Sequence, residues 1–329
     1  MMKAETRMRL AEFDPRGLGS GITRVRARSV DTPVADLPVV AAVGRHPGPT
    51  FVAVAGVHGD EYEGPQALWR TIGDLRPDEM HGTFIAMPIC NPWAAAAGIR
   101  ETPEAIDGVN LARTFPGDKD GSPTQRLAAE LLACVVRLKP ALFLDLHSGS
   151  IRARFHPVVG VRAGMGDEAR SRAAARAFGV RTLWALKDHR GTVNAETARL
   201  GIPTVGVEMT GAGGALEADI AADHAGVLNL LRWLAVLRDR PAPRVDAPFR
   251  RTTDVTAPAT GFAQPLHDLG DEVAAGEPLV RVLNDFGDTV AVAAAPHAGT
   301  VWVMRHLRTV SAGELLCAVA SHDADAPRA

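Results

Sequence analysis

Apolar residues fall along the first 240 positions in two alternating rhythms. Continuous apolar runs of strand length, FVAVAGV (51–57), TFIAMPI (83–89), ALFLDL (141–146) and IPTVGV (202–207), read as strands covered on both faces. ITRVRARSV (22–30) alternates instead, as a half-exposed strand does, and PVVAAVG follows it. Between the runs lie stretches with apolar residues three and four apart, which predict helices over EGPQALWRTIGDL (63–75), SPTQRLAAELLACVVRLK (122–139), DEARSRAAARAFG (167–179), NAETARLG (194–201) and DHAGVLNLLRWLAVLRDR (223–240). Ser122 and the proline after it form a helix start, while Gly179 and Gly201 are helix stops. Strands alternating with helices imply an α/β domain, a parallel or mixed sheet flanked by helices, over residues 1–240.

The rhythm changes after PAPRVDAP (241–248), a proline-rich linker. Residues 250–320 show short alternating runs broken by Gly, Pro and Asp, with no helical spacing, and read as a small all-β domain. DLGDEVAAGEPLVRV and TVSAGELLCAV are two versions of one phrase, as are APATG and APHAG. This repetition resembles the barrel-sandwich of lipoyl and biotinyl domains. Such carriers need a lysine at a hairpin tip, and no lysine follows Lys187, so a swinging-arm carrier is excluded. The tail SHDADAPRA is expected to be loose.

Composition acts mainly by exclusion. With 46% apolar and 22% charged residues the chain is globular, and a net charge near −2 without a basic stripe argues against nucleic acid. No run is long and apolar enough for a membrane span, and the first residues lack a signal-peptide core. Cys90, Cys134 and Cys317 are odd in number and far apart, which fits a reduced, cytoplasmic setting.

The chemistry sits where strands run out. His58, Asn91, His147 and Glu208 each follow or end an apolar run, and in open α/β sheets ligands gather at the carboxyl ends of strands. His58 and Glu61 can supply two metal ligands from one turn, and His147 a third; two histidines and a glutamate with a fourth position for water is a catalytic zinc shell. Taken singly, a turn histidine is a solvated or structural residue, and a glutamate near a helix start is a dipole partner. Together at strand ends they point to metal. His46, His81, His189 and His224 keep the structural reading, and His156 is a weaker candidate for lining the pocket.

GVHGDEYEG, ICNPWAAAAGIR, DGVNLARTFPG, DLHSG and GIPTVGVEMTG, in that order, resemble the succinylglutamate desuccinylase/aspartoacylase family of zinc carboxypeptidase-like deacylases. The GDEYEG phrase is more similar to the branch that deacetylates N-acetyl-diaminobutyrate-type compounds. The resemblance implies a carboxypeptidase-like mixed sheet, one zinc held by His58, Glu61 and His147, and Glu208 as the group that activates water and then protonates the leaving amine. It implies that Arg100 polarises the scissile carbonyl. It also places Arg113, Asn110 and Asn91 among the substrate-side residues, with Asn110 at a position that can bond a metal-bound histidine.

One position departs from the pattern. Relatives carry Asn-Arg where this chain has Ala112-Arg113, and the asparagine there helps to hold a substrate carboxylate. Either the pocket takes a substrate whose carboxylate is absent, masked or displaced, which is the reading favoured here, or a neighbouring N–H or Asn110 takes over the contact. Tyr62 is the only tyrosine, so a tyrosine some relatives use near substrate has no counterpart. The expected activity is zinc-dependent hydrolysis of an N-acyl amide on a small amino-acid-like molecule. The rivals are a carboxypeptidase for short peptides and a non-catalytic binding module. Whether the β-domain caps the pocket or builds a homo-oligomer is left open.

Overall fold

A computed structural model describes residues 6–324. The first part holds strands β1 (Thr6–Arg9), β2 (Gly21–Asp31), β3 (Val34–Val43), β4 (His46–Val54), β5 (His81–Met87), β6 (Leu142–Ser148), β7 (Ala153–Phe155), β8 (Val158–Arg162), β9 (Leu183–Leu186) and β10 (Thr204–Met209). Its helices are α1 (Glu63–Asp74), α2 (Pro92–Ala97), α3 (Pro123–Leu138), α4 (Glu168–Phe178), α5 (Val193–Arg199) and α6 (Glu217–Trp233). The second part is all β: β11 (Phe249–Thr256), β12 (Gly261–Pro265), β13 (Glu272–Val273), β14 (Pro278–Leu283), β15 (Thr289–Ala294), β16 (Gly299–Arg305), β17 (Thr309–Val310) and β18 (Leu315–Ala324).

The central strands run β5-β4-β6-β10, all parallel, flanked by antiparallel neighbours β3 and β8. From β4 the chain crosses to β5 on one side and later to β6 on the other, so β4 and β6 flank a topological switch point. A crevice opens at the carboxyl ends of strands at such a point. Both faces are covered. One core packs Phe51, Phe84, Leu144 and Val207 with Leu68 of α1, Phe178 of α4 and Leu231 of α6. The other packs Val52, Ile85 and Phe143 with Leu127, Leu131 and Val135 of α3.

The expected helix starts and stops are present. Ser122 and Gln125 form a reciprocal capping box at α3, and Gly179 ends α4 with φ +111°. The last helix differs from expectation: it starts at Glu217 and ends at Trp233 instead of covering 223–240. Asp219 and Asp223 lie on its buried face and break the apolar stripe, and Asp219 accepts the Thr210 N–H and hydroxyl. Ala235, with φ +57°, then turns the chain out of the helix. The short strands β7, β8 and β9 went unread in the sequence, since three to five residues give no usable period.

In the second part, β15-β14-β12-β17 form one sheet, facing β11-β18-β16-β13 across a core of Val255, Leu279, Val282, Val301 and Leu316. The repeated phrases become symmetric pairings: β12 with β17, and β13 with β16. The proline-rich segment 241–248 has no regular structure, yet β11 pairs in parallel with β9 (Phe249 opposite Leu183) and β16 pairs with β7. The large sheet therefore runs unbroken from the first part into the second. Of the tail read as loose, residues 321–324 continue β18, and 325–329 lie outside the described residues. Among the described residues no helix is long and apolar enough to cross a membrane.

Candidate active site

The turn after β4 carries the first site residues. Gly56 takes φ +60°, where a side chain is strained. A Cβ on Gly59 would lie 2.1 Å from the Ala94 backbone, so only glycine lets this turn press on α2. The Gly59 N–H donates to Ile99 O at 3.0 Å, which ties the turn to the loop bearing Arg100. His58 and Glu61 are thereby placed beside the end of β6, where His147 projects.

His58, Glu61 and His147 are buried, and one ligand atom of each lies within 4.8 Å of the others. His58 Nδ1 is 2.8 Å from Glu61 Oε1, and His147 Nδ1 is 2.9 Å from Glu61 Oε2. The opposite ring nitrogens have their own partners. His58 Nε2 is 3.3 Å from Asn110 Oδ1, and His147 Nε2 is 3.0 Å from Asp145 Oδ1, a close ionic contact that is not aligned as a hydrogen bond. Acceptors behind both Nε2 atoms favour Nε2–H and leave the Nδ1 lone pairs to converge, as metal-bound histidines require. Nitrogen and carboxylate donors in this arrangement suit zinc.

The electrostatics agree with a cation position. Burial opposes charge on Glu61, but the two imidazoles outweigh it and hold the carboxyl well below its usual range. Burial pulls His58 down. Burial also opposes charge on His147, but Asp145 and Glu61 overcome it and raise the imidazole well above its ordinary value. Without metal, the proton shared by the trio belongs on His147.

Glu208 stands beside this trio, on β10 in register with His147 of β6. Burial, with Glu61 and Asp145 adding and His147 and Arg100 subtracting, pushes its carboxyl up to about 8. Its side chain has no hydrogen-bond partner among the described residues and faces a cavity of about 570 Å³. Arg100 lines the same cavity and donates from Nη1 to Glu61 Oε1 at 2.8 Å. Arg113 lines it too, with Nη1 donating to Ala112 O at 2.9 Å.

Two residues expected on the substrate side do not line the cavity. Asn91 is fully buried at the start of α2; its Oδ1 accepts the Ala94 N–H at 3.1 Å and its Nδ2 donates to Thr102 Oγ1 at 3.1 Å. It is a helix cap that shapes the Arg100 loop. Asn110 is likewise outside the cavity: its Oδ1 accepts the Ala112 N–H at 2.9 Å and faces His58 Nε2. It positions His58, and its carbonyl oxygen is not free to replace the missing asparagine at 112. His156 is also away from the cavity, against Thr182 at 3.3 Å.

The cavity holds residues that sequence reasoning passed over. His189, read as structural, lines it, as does Arg162. Arg162 is buried at the end of β8, donates to Asn194 Oδ1, Thr192 Oγ1 and Lys187 O, and is pulled down to about 10 by burial. An arginine ending the apolar run PVVGV was the available signal.

Residues 47–234 match the succinylglutamate desuccinylase/aspartoacylase catalytic domain. The Nα-acetyl-L-2,4-diaminobutyric acid deacetylase of Halomonas elongata is 30% identical over 293 residues, 85% of this chain and 84% of that protein. The product-bound structure of the ectoine utilization protein EutE (DoeB) from Ruegeria pomeroyi superposes with TM-score 0.83 at 26% identity, over 92% of this chain and 96% of that one. A succinylglutamate desuccinylase/aspartoacylase structure from Rhodobacter sphaeroides gives 0.84 at 26% identity, over 95% and 98%.

Proposed function

This chain belongs to the succinylglutamate desuccinylase/aspartoacylase family, and from that membership we propose that it is a zinc-dependent deacylase cleaving the N-acyl amide of a small amino-acid-like substrate. The diaminobutyrate deacetylase relative makes an N-acetylated diamino acid the first substrate class to test. The observation that carries the reading is the Glu208 carboxylate, unpartnered, facing the cavity and in register beside one of three convergent ligands.

His58, Glu61 and His147 would hold a zinc ion, which would supply Lewis acidity to polarise the amide carbonyl and acidify water. Glu208 takes the proton of the attacking water and returns it to the leaving nitrogen. In the metal-free site burial pushes this carboxyl up to about 8, and a cation held beside it would favour the ionised form that accepts the proton. Arg100 spends one N–H on Glu61, which leaves others for the oxygen that gains charge as the carbonyl is attacked. Asn110 and Asp145 fix the two imidazoles from behind. Arg113 offers its remaining N–H groups to the carboxylate of such a diamino acid, held without an asparagine at 112, in place of the absent or masked carboxylate expected from the sequence.

The test is an amine-release screen of zinc-loaded protein against N-acetyl, N-succinyl and N-formyl amino acids and diamines, with short peptides beside them. Release of free amine from an N-acyl compound is expected. Cleavage confined to peptide C-termini would move the protein to the carboxypeptidase reading, and silence across the screen with zinc bound would favour the binding module.

A further inference from the structure

The cavity extends beyond the metal-type residues to the second part of the chain, where Thr252 and Asp254 of β11 form part of its far wall. The two residues are two apart on one strand and share a face, while Val255 turns the other way into the β core. Of the other acids of the wall, Glu208 belongs to the proposed catalytic group and the rest are occupied. Asp145 lies against His147, Asp188 is bridged to Arg199, and Glu314 is held by Arg305 at 3.0 Å and the Ser311 N–H at 2.7 Å. Asp254 has no hydrogen bond or ion pair from its side chain among the described residues. The neighbouring cations do not neutralise it either: Arg305 is held by Glu314, Arg152 by Glu101 at 3.2 Å, and Lys187 makes no ion pair with it.

The cavity is therefore bipolar. Arg100, Arg113 and Arg162 line its metal end, and a free carboxylate stands on the β-domain wall. His189 feels both: burial, Arg113 and Arg162 pull its pKa down, while Asp188 and Asp254 pull it up. We propose that Asp254 is a specificity-determining residue that receives a cationic group on the amine portion of the substrate. The cavity then selects N-acylated diamino acids over N-acylated amino acids with neutral side chains. This rests on the deacylase reading above and assigns the β-domain a direct part in substrate choice.

The test compares Nα-acetyl-2,4-diaminobutyrate with Nα-acetyl-norvaline, in which a methyl replaces the ammonium, for the zinc-loaded wild type, Asp254→Asn and Asp254→Glu. An ion pair on a partly open wall discriminates by about two- to fivefold. Asp254→Asn is expected to remove that preference through KM of the cationic substrate, with kcat and the norvaline derivative within twofold, and Asp254→Glu to restore most of it. An unchanged preference in Asp254→Asn, or an equal loss on both substrates, overturns the proposal. A second arm titrates 2,4-diaminobutyrate and norvaline into the same proteins by calorimetry, which needs no turnover. If the wild type hydrolyses neither substrate, these two compounds are not its substrates, and the wider amine-release screen decides the deacylase reading. The proposal then stands if diaminobutyrate binds more tightly only where Asp254 is present, and falls if the two ligands bind alike.

Discussion

Glu208 and His147 are register partners on the adjacent parallel strands β10 and β6, so the proposed proton carrier and a proposed metal ligand project from neighbouring positions on the same sheet face. Strands lie ~4.8 Å apart in the hydrogen-bonding direction, and backbone pairing fixes the relation before any side chain adjusts. Glu208→Gln preserves the shape of the group and removes its proton transfer. It is expected to retain zinc and lose ~10²–10⁴-fold in kcat. Turnover within a few-fold of wild type would show that another base acts, with Asp145 next to examine.

In the metal-free protein Glu208 also acts on stability. Its folded value of about 8 lies above its ordinary 4.5, so between these pH values the folded protein keeps a proton that the unfolded chain has released. Stability therefore falls as pH rises through that window. Metal-free Glu208→Gln should melt with wild type near pH 4.5 and ~5 °C above it at pH 9. A difference in melting temperature independent of pH would contradict the assigned shift.

Zinc binding should expel a proton. His147 is held well above its ordinary value by Asp145 and Glu61, so at pH 7 the metal-free site carries a proton that a ligand nitrogen must lose. Calorimetry in buffers of different ionisation enthalpy should report at least one proton released per zinc, from His147 and in part from Glu208, with affinity rising as pH increases towards the His147 pKa. His58→Ala and His147→Ala should each lose tight zinc. Full zinc content in both would place the metal elsewhere.

Arg100 tests two roles at once, because it lines the cavity and bonds Glu61. Arg100→Met is expected to lower kcat by ~10²–10³-fold, measured at saturating zinc so that any weakened grip on Glu61 is separated. A rise in KM alone would make it a substrate anchor.

Ala112 is buried on the cavity wall beside Arg113, with its N–H already taken by Asn110. Ala112→Asn adds a donor next to Arg113, and a hydrogen bond to a charged group is worth about 1.5–3 kcal/mol. The variant should gain about tenfold in kcat/KM on simple N-acyl-α-amino acids relative to their carboxamides. Equal effects on acid and amide would mean that the missing asparagine says nothing about the substrate.

The sequence by itself determined the apolar strands, most helices and the metal-type trio. Each of these depends on short-range order: a buried strand is a continuous apolar run, a cap lies within four residues of its helix, and His58 and Glu61 share one turn. The tertiary structure alone decided which polar side chains face the cavity. Asn91 and Asn110 follow the same motifs as the ligands, yet their amides are used by backbone N–H groups within three residues, and a motif does not reveal which partner an amide takes. Arg162, His189 and Asp254 reach one cavity from three distant segments, brought together by β8 pairing with β9 and β9 with β11. Those pairings arise because exposed strand edges seek partners wherever the fold presents them. Sequence rhythm records which face of a strand is buried, but not which strand will lie beside it.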